Sequence, residues 1–248
     1  MYRFETYHSL MYNLFMKKFI TSFKWYEATF TFLSIIALIV LGIVFNNEPT
    51  YVTLFQLTAT ISGVLASVLN VKKFRFAFIF YSLYAFLYGV SALSRNQYGE
   101  GVLNLAYNLP LYLFTIYKLY ISPKKEEGEF KINSMPNKVL IIVLSSIPLV
   151  TLGYGFLLKE LNSSYPFINA FATSLALIAT FSASRRYKEQ WIFWSIYSII
   201  LSILWLMNDG LLSNGGILYL ILDIIYLVVN IYGMTNWYIE YRNQTKID

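Results

Sequence analysis

The chain contains no cysteine and a single histidine, His8. Disulfides, thiol nucleophiles and the Cys/His sets that hold zinc are therefore excluded. Charge is scarce too. Asp, Glu, Lys and Arg make up 13% of the 248 residues, about half the ~25% of a soluble domain. No Walker motif is present, which argues against ATP-driven pumping. Alternating apolar and polar segments of about ten residues, the mark of an outer-membrane barrel, are absent. What remains is apolar: 57% of residues are hydrophobic and the mean hydropathy is +0.54. These residues fall in runs of roughly 17–21, each long enough to cross a hydrocarbon core of about 30 Å. The reading is an all-α integral membrane protein, lying in the lipid bilayer.

Eight spans are expected, at about 27–45, 51–70, 76–94, 101–120, 138–158, 166–183, 190–207 and 215–236. Assigning alternate joints to alternate sides places 17 Lys and Arg on one side and only Arg95 and Lys159 on the other. Positive charge accumulates in cytoplasmic loops, so both termini are expected in the cytoplasm. The basic pI of 9.2 thus reflects topology, and nucleic-acid binding is not expected. Residues 1–26 read as a cytoplasmic or interfacial segment. Phe4, Tyr7, Met11, Leu14 and Phe15 fall there at helical spacing, as in a helix lying in the membrane surface. Residues 121–137 read as a cytoplasmic linker and 237–248 as a cytoplasmic tail.

The chain repeats itself at a spacing of 113 residues. KKFRFAFIFYSLY (72–84) corresponds to RRYKEQWIFWSIY (185–197), with Thr60 on Thr173, Ser82 on Ser195 and Tyr84 on Tyr197. Residues 51–120 and 166–236 form two three-helix copies. An odd number of spans per copy would invert the second, and the helix at 138–158 restores its orientation. The expected layout is one extra helix, 27–45, followed by 3 + 1 + 3. Parallel repeats of this kind are related by an axis along the membrane normal, with the substrate path on that axis.

Polar residues inside the spans are costly in lipid and so mark candidate sites. Gln56, Thr60, Gly63, Ser67 and Asn70 share one helical face, and Asn104, Asn108 and Thr115 share another. Trp191, Trp194, Ser198, Ser202 and Trp205 line one face of the seventh span, opposite Phe78, Tyr81 and Gly89 of the third. Tyr219, Asp223, Tyr226 and Asn230 line the eighth. Asp223 is the one carboxylate near the middle of a span, where a charge costs roughly 2.5–3.5 kcal/mol or more. The candidate substrate-binding set is Gln56, Tyr81, Asn108, Trp191, Trp194, Tyr197, Ser198, Tyr219, Asp223, Tyr226 and Asn230. Aromatic walls stack on a flat ring, and Asn, Gln and Ser recognise hydroxyls or amides. No intramembrane cation is available to clamp a phosphate. A small neutral or cationic nucleoside or ring-containing vitamin fits, and a nucleotide does not. One interfacial His and one buried Asp do not make an enzyme active site, and no charged ring or carbonyl filter suggests a channel. No metal or cofactor is expected.

Arg185 to Trp194 (RRYKEQWIFW), followed by Gly233-x-x-x-Trp237, resembles the PnuC family of vitamin transporters. Glu189, Trp191 and Trp194 match that family's Glu-x-Trp-x-x-Trp motif, and the likeness extends over roughly residues 50–240. It implies a fold similar to that of the SWEET sugar transporters, and a homotrimer in the bacterial cytoplasmic membrane. It also implies facilitated diffusion of an unphosphorylated nicotinamide riboside-like compound, trapped afterwards by a cytoplasmic kinase. Two positions depart from the family pattern: Ser198 stands where an Asp is usual, and Gln190 where Asn is usual. Other members carry thiamine, riboflavin or deoxyribonucleosides, so these remain alternatives, as does proton coupling through Asp223.

Overall fold

The computed structural model describes residues 21–45, 50–94, 101–121, 131–163, 165–207 and 216–247. The expected surface helix over Phe4–Phe15 lies outside them. Eight α-helices are described: α1 (Trp25–Val44), α2 (Thr50–Val71), α3 (Ala77–Ser94), α4 (Leu109–Ile121), α5 (Asn137–Glu160), α6 (Pro166–Ser184), α7 (Gln190–Leu206) and α8 (Gly216–Ile247). A π-helical turn, Leu103–Asn108, leads directly into α4. Of these, α1, α2, α5, α6 and α8 each contain a stretch long and apolar enough to cross a membrane, while α3 and α7 are shorter apolar helices. The chain is a multi-pass membrane protein.

Local chemistry explains several helix ends. At the start of α1, the Glu27 carboxylate turns back to accept the Lys24 backbone N–H at 2.7 Å, which satisfies a donor the helix leaves open. α6 begins with Pro166, whose fixed φ suits a first helical turn and whose missing N–H is not needed there. α2 and α6 end identically. Lys73 and Arg186 both sit at φ 60°, the left-handed residue of a Schellman cap. The Phe74 N–H donates to Leu69 O at 3.0 Å and the Lys73 N–H to Asn70 O at 2.9 Å. Tyr187 to Ser182 (2.9 Å) and Arg186 to Ala183 (2.9 Å) repeat the pair 113 residues later.

The same offset carries over to whole helices. Shifted by 113, residues 25–44 fall within α5, and 77–94 fall on α7. Glycine recurs with it: Gly42 of α1 lies against Leu57 of α2, and Gly155 of α5 against Phe167 of α6, each with no room for a Cβ. Within each half, consecutive helices pack in turn, α2 on α3 and α3 on α4, then α6 on α7 and α7 on α8. Across the halves, α2 packs on α8 and α4 on α6. That crossing pattern is what a two-fold relation between the halves produces.

α8 continues past the expected end of the last span, near residue 236, as far as Ile247, about 48 Å of helix. Just past residue 236 the helix is still packed, since Trp237 is buried and donates its indole N–H to Val71 O at 3.1 Å, and Tyr241 packs against the same core. The end of the expected linker is also fixed. Ile132 and Met135 are buried, and Asn133 pairs with Tyr187 in a parallel bridge. Glu189 fastens this segment by accepting from the Ser134 hydroxyl at 2.9 Å and the Met135 N–H at 3.0 Å.

Candidate substrate cavity

A cavity lies between the two halves, lined by Gly63, Ser67, Tyr81, Tyr84, Leu103, Asn104, Asn108, Tyr112, Ala176, Trp194, Tyr197, Ser198, Tyr226 and Asn230. It is about 60 Å³, against the roughly 300–1,000 Å³ usual for a ligand pocket. Larger cavities open elsewhere, one of about 560 Å³ at the basic end and one of about 320 Å³ between α1, α2 and α8. The central one is singled out by convergence: aromatic rings and neutral polar groups from both halves meet there.

Its walls are aromatic. Tyr81 and Tyr112 are stacked with centroids 5.0 Å apart and planes at 18°, and Trp194 meets Tyr197 edge-on at 5.6 Å. Its polar groups come in linked pairs. Asn230 Nδ2 donates to Ser198 Oγ at 3.2 Å, Asn108 Nδ2 to Asn104 Oδ1 at 3.1 Å, and Tyr81 Oη to Ser67 Oγ at 3.4 Å. Two groups are left over: Asn108 Oδ1 and Trp194 Nε1 are buried with no hydrogen-bond partner. One is an acceptor and the other a donor. Orphaned buried polar atoms are rare because each costs about 1–3 kcal/mol. A pair of them on one small cavity is what a bound polar ligand would satisfy.

Both asparagines on the α4 side sit in the π turn, where Leu109 N–H reaches back five residues to Asn104 O. Single π turns inside helices recur at functional sites. Here the next residue, Pro110, has no N–H to donate, so the wider turn occurs where the regular ladder would already be missing a bond. Tyr107 ties this turn to the other half through its hydroxyl, which donates to Leu177 O at 2.9 Å.

Of the eleven residues expected to bind substrate, Tyr81, Asn108, Trp194, Tyr197, Ser198, Tyr226 and Asn230 line this cavity. Gln56, Trp191, Tyr219 and Asp223 do not. Tyr219 stacks on Trp205 at 5.0 Å. Gln56 and Asp223 are buried in the helix packing. Trp191 is fully buried, edge-on to Trp237 at 5.5 Å, and its ring lies directly on Gly233, where a Cβ would come within 2.8 Å. The Glu-x-Trp-x-x-Trp motif therefore divides its labour along one helix start. Glu189 anchors the preceding segment, Trp191 seats α7 on α8, and Trp194 faces the cavity. Gly233→Val is expected to lower stability by about 1–3 kcal/mol, as overpacking does, while Gly153→Val, with nothing near its Cβ, leaves it unchanged. Thermal unfolding of both purified variants checks this.

Gly63, Ser67, Asn104, Ala176, Tyr84, Tyr112 and Leu103 also line the cavity and stand outside the expected set, the first three sharing faces of the polar stripes. Tyr84 carried a signal, since it pairs with Tyr197 in the repeat. Tyr112 and Leu103 carried none, being an aromatic and an aliphatic in an apolar helix. Toward the basic end, Asn70 Nδ2 donates to Gln190 Oε1 at 3.0 Å. Both residues are 0% exposed, and the pair joins the two halves.

The family model for nicotinamide mononucleotide transporters matches residues 53–239. A nicotinamide riboside transporter PnuC from Neisseria mucosa is 24% identical over 198 residues, covering 78% of this chain and 74% of the relative. The crystal structure of a vitamin B3 transporter PnuC superposes with a TM-score of 0.71 at 21% identity, covering 89% of this chain and 94% of that one, and so shares the fold. With three-quarters of its length inside the family model and that fold around the cavity, the chain belongs to the PnuC family of nicotinamide mononucleotide transporters, proteins that carry solutes and are not enzymes.

Proposed function

We propose that this protein takes up an unphosphorylated nucleoside-like compound, nicotinamide riboside or a related ribo- or deoxyribonucleoside, by facilitated diffusion with alternating access. The observation that carries the reading is the chemistry of the central cavity. Its lining combines tyrosines and Trp194 with Ser and Asn side chains and contains no Lys or Arg. Rings suit a planar base and amides suit ribose hydroxyls, whereas a phosphate in a water-poor site would call for a cation. The name of the Neisseria mucosa relative agrees with the unphosphorylated substrate.

The motion we infer is a rocking of one half against the other about the cavity. The eight helices then form two equivalent sets of one plus three, all eight crossing the membrane. This is the expected 3 + 1 + 3 with its extra helix assigned to the first half. Helices of 17 or 18 residues, such as α7 and α3, reach the lower limit for a span. The small cavity volume fits a contracted state that must widen to admit a nucleoside. Pro110 and the π turn before it provide a place to bend on one side only, since Ile225 stands at the corresponding position of α8 once a two-residue shift in the loop before that helix is allowed for. The basic end with both termini faces the cytoplasm in this reading, where a kinase would trap the product. The homotrimer follows from family resemblance alone.

Uptake of labelled compound into proteoliposomes without kinase tests the proposal. Nicotinamide riboside should equilibrate and not concentrate, with nicotinamide mononucleotide excluded. Preferential uptake of thiamine or riboflavin would reassign the substrate, and accumulation abolished by an uncoupler would replace diffusion with coupling. The second reading, proton coupling, is favoured by one observation: Asp223, a carboxylate in the first half of α8, is 5% exposed. Under facilitated diffusion, Asp223→Asn should retain uptake within about threefold, because an amide keeps one acceptor and adds donors.

A further inference from the structure

The central cavity and the basic-end cavity follow one another along the same helices. On α4, Asn108 lines the first and Phe114 the second. On α6, Ala176 lines the first and Phe181 the second. Trp194 of α7 lines the first, and Tyr187, just before that helix, the second. The two share no lining residue, so a partition one to two helical turns thick separates them.

That partition is polar. Asn70 lies three residues beyond Ser67 on α2, roughly 4.5 Å along the axis, and Gln190 four residues before Trp194 on α7, roughly 6 Å. Thr180 lies between Ala176 and Phe181. All three are fully buried. Asn70 Nδ2 donates to Gln190 Oε1 at 3.0 Å. The orientation of this pair is set by the backbone, because Gln190 Nε2 donates to Tyr187 O at 3.1 Å. A carbonyl only accepts, so Gln190 turns its oxygen to α2 and Asn70 answers with its NH₂. Asn70 Oδ1 is then left without a partner, and Thr180 Oγ1 and Trp191 Nε1 are buried and unpartnered in the same region. Apolar side chains would seal a partition without these costs. Buried polar groups are accounted for here if a polar solute passes between them when the halves part.

The internal repeat supplies a control. At the offset of 113, Asn70 corresponds to Ala183 and Gln190 to Ala77, both buried. The Schellman turn that follows Asn70 also follows Ala183, and α3 starts at Ala77 as α7 starts at Gln190. The turn and the helix start thus form without an amide at either place. The polar pair is an addition to the scaffold and not a requirement of it. It also joins helices whose main packing lies elsewhere: α2 packs on α1, α3 and α8, and α7 on α6 and α8. A lone hydrogen bond between amides is far easier to break and remake than an interdigitated apolar face.

We propose, on the transport reading above, that the Asn70–Gln190 hydrogen bond is the inner gate of the solute path. While it is made, the central cavity is shut from the basic end. Its breaking separates α2 from α7 and opens a polar passage lined by Asn70, Thr180 and Gln190.

The test uses the full-length protein, whose lack of cysteine makes any introduced thiol the only one. Ala176→Cys places a thiol on the central cavity, and its reaction with N-ethylmaleimide is timed in a neutral detergent. Asn70→Ala, Asn70→Leu and Gln190→Leu, each added to it, should raise the rate at least fivefold. Combining the two leucine changes should add little to either, since both remove one bond. The leucine variants nearly conserve volume, so a gain confined to Asn70→Ala would mark a hole and overturn the proposal. Ser82→Ala removes a buried hydroxyl that donates to Phe78 O of its own helix and should leave the rate unchanged; an equal gain there also overturns it. In a second arm, N70C/Q190C is joined by a short bis-methanethiosulfonate. Nucleoside uptake into proteoliposomes should fall at least tenfold and recover on reduction, with substrate still bound by the linked protein. Linked protein that transports at the unlinked rate, or unchanged thiol reactivity in every variant, overturns the gate. The cross-link decides the question should a leucine variant not fold. If no form of the protein takes up a nucleoside, the transport reading fails, and the thiol rates alone decide the gate.

Discussion

Replacing Trp194 by alanine is expected to weaken substrate binding by about 5- to 150-fold while the protein still folds. Two losses add. The indole forms one aromatic wall, and a good stack contributes about 0.5–1.5 kcal/mol beyond burial. Its Nε1–H is buried without a partner, and a hydrogen bond from it to a ligand contributes about 0.5–1.5 kcal/mol more. The sum is roughly 1–3 kcal/mol, at about 1.4 kcal/mol per factor of ten. Trp194→Phe separates the two contributions, since it keeps a ring and removes the donor, and should show the smaller loss. Calorimetric titration with nicotinamide riboside, with helix content checked by circular dichroism, reads both. An alanine variant that folds and binds like wild type removes Trp194 from the site. Trp191→Ala should behave differently, with unfolding at lower temperature, because its ring fills the α7–α8 contact.

Replacing Gly63 by alanine should abolish most uptake, through a single methyl group. Gly63 lies on α2 where Tyr226 of α8 approaches it, and a Cβ there would overlap the Tyr226 hydroxyl. The next contact is with Tyr84 at 3.1 Å, so the methyl is pinched from two sides. Glycine is required here for close approach rather than for an unusual backbone angle. Both neighbours line the cavity, so the strain is delivered to the transport path and to the α2–α8 contact between the halves. The expected result is at least a tenfold fall in initial uptake rate in Gly63→Ala. Adding Tyr226→Phe removes the oxygen that the methyl would meet and should recover part of the rate. Failure of the double variant to improve on the single one, with Tyr226→Phe active alone, would show that the overlap is not the cause.

These two residues also mark the limit of what pattern reading reaches. Gly63 was visible as a member of a polar stripe, but its facing residue was not, because Tyr226 lies 163 positions away on another helix. Trp191 and Trp194 are three residues apart on one turn and look equivalent by type and motif. Only packing separates them, since α8 presents Gly233 and Trp237 to the first and leaves the second beside Ser198 and Asn230. Asp223 stood out through the cost of a charge in lipid, yet that argument identifies an unusual residue without saying what it touches. In the structure it is buried one turn from Tyr226 and outside the cavity lining.

Hydrophobic run length, charge distribution and the 113-residue repeat were properties of the sequence by itself. Each depends on residue type and local spacing, so together they determined an all-helical membrane protein with two related halves. Helix ends with local causes, such as the Glu27 carboxylate that accepts the Lys24 N–H, belong to the same level. The tertiary structure decided the rest, because it depends on which faces meet across more than a hundred residues. It set α2 against α8 and α4 against α6, joined Asn70 to Gln190, and extended α8 over the basic end. It also gathered seven of the eleven expected residues around one cavity. Contacts of that range follow from the summed fit of apolar faces rather than from any local signal.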